Sequence, residues 1–277
     1  MSYKRILTIQ DISCVGQCSL TVALPIISAC GVETCILPSA VLSTHTGGFT
    51  DFTFRDLTED MPAISAHWQK EGISFDAVYT GYLGSIKQID YVMDIMDSVT
   101  NDGSINIVDP AMADNGRLYV GFDSDFVNAM KRLCAKADVV LPNITEACLL
   151  TDTEYRTEYD KAYTDELISK LHKLCSGTVI LTGAGYDADT TGVIISDEAG
   201  TKYYEHRHIS GGCHGTGDIY SSAFVGALMN GHNTYDAALI AADFTVLCIE
   251  NTADDDSHWY GAKFETAIPA LIKSLNK

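Results

Sequence analysis

The sequence predicts an α/β protein in which a mostly parallel central sheet is flanked by helices. Two observations carry this prediction. Short β-branched runs recur along the chain, and each is apolar almost throughout, as in a strand that is covered on both faces. Amphipathic stretches lie between these runs, and such alternation is typical of a parallel sheet whose functional sites lie at the carboxyl ends of the strands.

The predicted strands are 5–10, 35–41, 77–83, 105–110, 137–143, 177–185 and 192–197. The predicted helices are 87–99, 124–136, 160–175, 218–230, 235–250 and 264–275. The uncharged stretch 12–32 fits a buried helix better than a membrane span, because polar residues and Pro25 interrupt it. We find no low-complexity linker and no repeat, so we expect a single domain over 1–277, with short loops near 43–56 and 111–123.

The composition limits the partners of the protein. The chain has 277 residues and a formal net charge of −19, which would repel nucleic acid and anionic membranes. A bound phosphate would therefore need local backbone amides or a divalent metal. The nine cysteines are scattered without a C-x-x-C pair and are typical of reduced thiols. Asp11 precedes any signal-like apolar core, so we expect a cytoplasmic protein.

The segment "GGCHGTGDIYSSAF" (211–224) places four glycines in seven residues before a predicted helix. A glycine-rich turn before a helix usually binds phosphate, because free N–H groups and the helix dipole favour an anion. A dinucleotide fingerprint fails here, since Tyr220 occupies the position of its third glycine. A Walker A loop fails as well, since Asp218 occupies the position of its lysine.

Asp218 has two interpretations. At a helix N-terminus we expect a lowered pKa and an ionised carboxylate at neutral pH. Such a carboxylate beside a phosphate site can accept the proton of an attacking hydroxyl. The alternative is a plain N-cap, for which aspartate is also favoured.

The "GTGD" motif (215–218) and the small-residue helix after it resemble the C-terminal signature of the ribokinase-like superfamily. Three further segments, in the expected order, are similar to pyridoxal and pyridoxamine kinases of that superfamily: "TGYLGS" (80–85), "DPAMADNGRLYV" (109–120) and "LPNITEA" (141–147). The resemblance implies that Gly215, Thr216 and Gly217 form an anion hole and that Asp218 is the catalytic base.

The resemblance also implies the fold and the activity. It implies a ribokinase-like three-layer sandwich whose loops near 43–56 and 111–123 cover the substrate. The implied reaction is phosphorylation of the 5′-hydroxymethyl group of pyridoxal, pyridoxine or pyridoxamine by ATP and Mg²⁺, in a homodimer that also uses a monovalent cation such as K⁺. Hydroxymethylpyrimidine kinase and a non-catalytic vitamin-binding protein remain as alternatives.

Two acidic residues are candidates for the metal site. Asp109 follows an apolar strand, where it could hold Mg²⁺ or order its water shell, although Asp-Pro also forms turns. Asn143 and Glu146 have the spacing of a capping pair. The resemblance implies that Glu146 helps to position Mg²⁺ on the triphosphate.

The resemblance also assigns the substrate pocket. "SAVLSTHTGGF" (39–49) resembles a pyridoxal kinase segment and assigns His45 and Thr46 to the acceptor, where an imidazole can stack on or hydrogen-bond a pyridine ring. Ser13 and Tyr82 would complete the pocket, with Ser13 bonding the ring nitrogen, and Tyr119 would close over it. The segment "DISCVG" (11–16) keeps the serine and glycine of the family pattern but lacks its histidine.

The nucleotide is expected beside Asn143, Thr182, Gly183, Gly185 and His214. Thr182 stands near a strand end where some relatives carry lysine, which implies more reliance on metal and amides. Arg117 is the nearest mobile positive charge, or else a solvated surface residue. Cys213 could react reversibly with an aldehyde or serve only as a small residue. His206, His208 and His214 suggest a metal by type, but their spacing favours nucleotide contact or exposure.

Overall fold

The computed structural model describes residues 3–209 and 213–276. The strands are β1 (Arg5–Ser13), β2 (Glu33–Leu42), β3 (Phe54–Asp56), β4 (Phe75–Thr80), β5 (Thr100–Val108), β6 (Ala113–Asp114), β7 (Arg117–Leu118), β8 (Val139–Val140), β9 (Thr178–Ala184), β10 (Thr190–Asp197) and β11 (Gly200–Arg207). The helices are α1 (Leu20–Ala29), α2 (Met61–Lys70), α3 (Ile86–Ser98), α4 (Ser124–Cys134), α5 (Ile144–Leu150), α6 (Lys161–Leu174), α7 (Thr216–Met229), α8 (Thr234–Glu250) and α9 (Ile268–Ser274). Two 3₁₀ turns lie at Asp256–His258 and Phe264–Thr266.

The main sheet has the strand order β11-β10-β9-β8-β5-β4-β1-β2-β3. Its six central strands are parallel, and antiparallel pairing is confined to the two edges, at β2–β3 and at β9–β10–β11. The prediction of a mostly parallel sheet is therefore confirmed. The sequence prediction missed β3 and β11, because these edge strands are largely exposed and lack a continuous apolar run.

Helices cover both faces of the sheet. Alternate residues of β1 point to opposite faces: Leu7 and Ile9 pack with α3, α4, α5 and α6, whereas Ile6 packs with α1, α7 and α8. Helix α1 is the buried helix expected within 12–32. The two apolar cores, one on each face, confirm the predicted three-layer sandwich.

The carboxyl ends of β1, β4 and β5 meet at one edge of the sheet. The backbone N–H of Asp109, directly after β5, donates a 2.9 Å hydrogen bond to the carbonyl of Thr80 at the end of β4. The hairpin β6–β7 follows Asp109 in the chain, and β6 contacts α5. This edge gathers most of the acidic residues that the sequence analysis selected.

Among residues 3–209 and 213–276, we find no helix with the length and hydropathy required to cross a bilayer.

Candidate active site

The N-terminus of α7 is built on a glycine that no other residue can replace without strain. Gly215 is the N-cap, with φ of 78°, and a Cβ atom there would overlap the carbonyl oxygen of Gln17. The N–H groups of the first turn have no partner within the helix, and no side chain caps them. Thr216 and Gly217 lie in this uncapped first turn, and their binding of an anion stays a prediction. Gly211 and Gly212, which begin the motif, lie outside the described residues.

Asp218 lies in the first turn of α7 and does not cap it, and the backbone N–H of Ser19 faces its carboxylate. Burial raises its pKa to about 7, and the charges of Asp109 and Asp11 act in the same direction. The expected lowering of the pKa by the helix N-terminus is therefore wrong, because desolvation outweighs the dipole. A carboxyl group that titrates near neutral pH is well matched to a general base.

Asp109 is 8% exposed and accepts a 2.7 Å hydrogen bond from the hydroxyl of Ser221 in α7. Burial raises its pKa to about 6. The hydroxyl of Tyr79, in β4, is fully buried and lies near Ser221 and both acids, Asp109 and Asp218. The sequence analysis missed Ser221 and Tyr79, since each could equally be a core residue.

Glu146 combines the two roles that the sequence left open. Its Oε2 accepts the backbone N–H of Asn143 at 2.9 Å, and the Asn143 side chain accepts the N–H of Glu146, which forms a capping box on α5. Its Oε1 accepts the N–H of Met112 at 3.0 Å. Burial and the charge of Asp109 raise its pKa well above the usual range. The residue thus caps a helix and also supplies a buried carboxylate near Asp109.

Tyr119 follows the hairpin β6–β7, and its backbone N–H donates to the carbonyl of Met112 at 2.9 Å. Its pKa is raised by burial, and further by the charges of Glu146, Asp114, Asp109 and Asp218, in that order. The phenol therefore faces the same acidic cluster. This position agrees with a residue that closes over the site, although its side chain is still 40% exposed.

His45 is buried against the turn after β1. Its Nδ1 accepts the N–H of Gly47 at 3.1 Å, so we assign Nε2–H as the donor to the carbonyl of Tyr260 at 2.7 Å. Gly16 is required beneath the ring, because a Cβ atom there would overlap it. The backbone occupies both ring nitrogens, which leaves the ring face rather than a nitrogen for contact with a ligand.

The other residues predicted to bind the acceptor substrate lie in different surroundings. The ring of Tyr82 stacks on Phe122 of the 111–123 loop at 5.6 Å between centroids, so that loop contacts the pocket. The hydroxyl of Ser13 donates to Asp11 at 3.1 Å. Thr46 is exposed. His214, predicted to contact nucleotide, instead packs its ring 5.2 Å from that of His45, with the predicted acceptor residues.

The remaining nucleotide candidates lie where β9 ends beside α5. Asn143 pairs with Thr182 in an isolated parallel bridge, and its side-chain amide donates to the carbonyl of Ala113 at 2.9 Å. Gly183 is exposed with φ of 69°, and the N–H of Gly185 donates to the hydroxyl of Tyr159. These residues lie along one rim of the site.

A cavity of about 270 Å³ lies beside Thr216. Val246 and Ile249 of α8 give it an apolar wall, while His206 and Arg207 of β11 give it a polar one. The sequence analysis missed the two α8 residues, because apolar positions on a helix are usually core. Among the described residues no group of three potential ligands could hold a metal, and all nine cysteines are free thiols.

Known relatives match this arrangement. The chain is 35% identical to a candidate phosphomethylpyrimidine kinase of Bacteroides thetaiotaomicron crystallised with pyridoxal, with a TM-score of 0.91 over 98% of this chain and 96% of the other. It is 31% identical to pyridoxal kinase of Lactobacillus plantarum, with a TM-score of 0.91 over 98% of each chain.

Curated relatives are more distant. A pyridoxine kinase of Bacillus subtilis is 24% identical over 66% of this chain, and a candidate pyridoxal kinase of Schizosaccharomyces pombe is 28% identical over 79% of it. The chain spans 66% of the length of each of these two relatives, just under two thirds. Residues 24–261 match the phosphomethylpyrimidine kinase family. The chain therefore belongs to the phosphomethylpyrimidine kinase family and is a kinase of the ribokinase-like fold, which confirms the resemblance drawn from its sequence.

Proposed function

We propose that this kinase transfers the γ-phosphoryl group of ATP to the 5′-hydroxymethyl group of a B6 vitamer. The observation that carries the proposal is the position of Asp218. It lies at the N-terminus of α7, close to the buried acids Asp109 and Asp11, and Asp11 in turn lies close to His45. The relatives crystallised with pyridoxal or named pyridoxal kinase support the choice of acceptor.

In this proposal Asp218 accepts the proton of the acceptor hydroxyl as that oxygen attacks phosphorus. The N–H groups of Gly215, Thr216 and Gly217 stabilise negative charge on the transferring group. Because the transition state of phosphoryl transfer is loose, positioning and charge stabilisation supply most of the rate. A base with a pKa of about 7 is sufficient for this step.

The acceptor ring is proposed to lie among Ser13, His45, Thr46 and Tyr82, with Tyr119 above it. The ring stack of Tyr82 on Phe122 supports this, since the same loop carries Tyr119. For ATP, we propose the rim formed by Asn143, Thr182, Gly183 and Gly185 together with the cavity beside Thr216, whose apolar wall suits a base. His214 can contact either substrate from its position next to His45.

Mg²⁺ is proposed to bind at Asp109 and Glu146. Two buried carboxylates with raised pKa values suit a divalent cation, since Mg²⁺ prefers oxygen ligands and usually keeps several waters. Glu146 already accepts backbone N–H groups with both oxygens, which favours contact through water. When bound, the cation neutralises charge on the phosphates. A K⁺ requirement follows only from the resemblance and is tested by replacing K⁺ with a larger monovalent cation.

The deciding experiment measures ADP release from Mg-ATP with pyridoxal, pyridoxine, pyridoxamine and hydroxymethylpyrimidine in parallel. We expect turnover with at least one vitamer that exceeds turnover with the pyrimidine. Turnover with the pyrimidine alone would favour hydroxymethylpyrimidine kinase, the alternative supported by the family match. Binding of vitamers without any ADP release would identify a non-catalytic binding protein.

We also propose that the chain forms a single domain and that its loops near 43–56 and 111–123 cover the site. Two such chains are proposed to form a homodimer, and the protein is proposed to reside in the cytoplasm. The free thiols support a reducing compartment. Light scattering of the purified protein tests the dimer, and a mass equal to one chain would reject it.

A further inference from the structure

The proposed mechanism does not use Asp11, which lies in β1 near its carboxyl end. Asp11 is 5% exposed, and the hydroxyl of Ser13 donates a 3.1 Å hydrogen bond to its Oδ2. The side chain of Ser19 also faces this carboxylate and lowers its pKa, although burial raises the pKa overall. Within residues 3–209 and 213–276 it has no ion pair with a lysine or arginine. Burial of a carboxylate without a cation is costly, which makes such a group a functional candidate.

Ser19 places Asp11 beside the catalytic base. The side chain of Ser19 faces Asp11, while its backbone N–H faces Asp218, so Ser19 lies beside both carboxylates. Ser19 holds this position with a φ of 55°, in the left-handed region that non-glycine residues seldom adopt. The charge of Asp11 also acts on the hydroxyl of Tyr82. Asp11 therefore lies within the proposed acceptor pocket.

His45 lies close enough to Asp11 for a positive charge on its ring to lower the pKa of that carboxyl. His45 is neutral in this arrangement, because its Nδ1 accepts the N–H of Gly47. The proton of the Ser13 hydroxyl is directed to Asp11, so Ser13 is not free to donate to an unprotonated ring nitrogen. The polar end of the proposed pocket is thus the carboxylate of Asp11, which accepts hydrogen bonds and therefore suits a donor on the ligand.

We propose that Asp11 binds a cationic N–H donor of the acceptor molecule, either the protonated pyridine nitrogen or a protonated 4′-aminomethyl group. The inference rests on the proposed function and names the chemistry by which that site selects its substrate. A carboxylate and a cationic N–H form a charge-assisted hydrogen bond, about twice as strong as a neutral one. The hydroxyls of Ser13 and Ser19 and the N–H of Asp11 itself face the carboxylate, and about one of its four acceptor positions stays open.

The test is Asp11→Asn, which keeps the shape and removes the charge. Kinetics are measured at about pH 8, where Asp218 is ionised with or without its neighbour. We expect the KM of the vitamers to rise by about tenfold to a hundredfold, while the KM of ATP and kcat stay within about threefold. An equal rise for all three vitamers identifies the ring nitrogen as the donor, and a rise confined to pyridoxamine identifies the 4′-ammonium. An unchanged KM for all three overturns the proposal.

Two further variants separate recognition from folding. Asp102→Asn makes the same charge change at an exposed position of β5 and should alter nothing. Ser13→Ala keeps the carboxylate and should raise the vitamer KM less than Asp11→Asn does. A lower melting temperature with a reduced kcat, and with the KM values of ATP and of the vitamers changed equally, would show a structural role and reject the proposal. Turnover by the unmodified enzyme is measured first, because its absence rejects the proposed function rather than the role of Asp11.

Discussion

Two pairs of buried carboxylates meet in this site, and their surroundings differ. Asp109 and Glu146, here called the strand-end pair, accept several hydrogen bonds: Glu146 from the backbone N–H groups of Met112 and Asn143, and Asp109 from the hydroxyl of Ser221. Asp11 and Asp218, here called the acceptor pair, accept fewer: the hydroxyl of Ser13 donates to Asp11, which the side chain of Ser19 and the N–H of Asp11 itself also face, and the N–H of Ser19 faces Asp218. Burial raises the pKa of all four.

The difference separates a holding role from a reacting role. Backbone N–H groups fix the orientation of a carboxylate, as a group that positions a cation requires. A carboxylate with a single donor keeps lone pairs free to accept a proton from a substrate. The same burial therefore gives one pair that suits a metal and its waters and another that suits the acceptor molecule.

The largest expected effect comes from Asp218→Asn. The amide cannot take up the proton of the acceptor hydroxyl, so we expect kcat to fall by about 10²-fold to 10⁴-fold while ATP binding is kept. Calorimetry of ATP binding and ADP release in steady state measure the two effects. Near-normal turnover would mean that Asp218 is not the base, and the acceptor pair would then lose its reacting member.

The same variant tests the pKa of Asp218. Its folded pKa of about 7 lies above the ordinary 3.8, so its contribution to stability is present at acid pH and is lost as pH rises through 7. Asp218→Asn should therefore melt at a higher temperature than the unmodified protein at about pH 8, and the gap should narrow towards about pH 5. A gap independent of pH would contradict the raised pKa.

The next effect is the pH dependence of the unmodified enzyme. Because the base must be ionised, kcat/KM for the acceptor should rise about tenfold per pH unit below 7 and level off above it. Asp109 has a pKa of about 6, so its protonation should make kcat/KM fall more steeply at pH values below 6. A profile that is flat from about pH 5.5 to pH 8.5 would assign proton transfer to another group.

Glu146→Gln should have a smaller effect. The new NH₂ group would face a backbone N–H that now donates to Glu146, which leaves a buried donor unpaired and costs about 1–3 kcal/mol. We expect a lower melting temperature and a Mg²⁺ requirement about tenfold higher. Thermal unfolding and magnesium titration of the activity measure both, and Glu205→Gln in exposed β11 is the control.

Ser221→Ala should have the smallest effect. Loss of its 2.7 Å hydrogen bond leaves Asp109 less firmly oriented, so the Mg²⁺ concentration for half-maximal activity should rise by about threefold to tenfold. At saturating Mg²⁺ the kcat should be unchanged. Ser222→Ala, at the adjacent buried serine, is the matched control. An equal change in both variants would indicate loosened packing of α7 rather than an effect on Asp109.

The sequence was sufficient to predict the three layers of the fold and the acidic residues that follow strands. Buried parallel strands are apolar throughout, so their ends can be located, and Asp109 and Glu146 follow two of those ends. The pKa of Asp218 could not be predicted, because desolvation depends on the segments packed over it. Ser19, whose N–H faces Asp218, lies in a different part of the chain.

The directions and hydrogen-bond partners of the side chains could not be predicted from the sequence either. Ser13 and His45 have the right chemistry for a ligand, but their donors and acceptors are used by Asp11 and by the backbone. Asp11 looked like an ordinary acid near the N-terminus until its burial placed it beside Asp218. A short motif gives residue types, whereas the free lone pairs that select a substrate depend on the packed structure.

The contact of Gly215 with Gln17 limits how this enzyme can change its substrate during evolution. A Cβ atom at Gly215 would overlap the carbonyl oxygen of Gln17, so the loop after β1 touches the proposed phosphate-binding turn without a gap. An insertion in that loop would displace the turn and thereby impair catalysis for every acceptor. New acceptor specificity is therefore expected to arise by exchanging side chains on a fixed backbone, at positions such as Asp11, rather than by changing loop length.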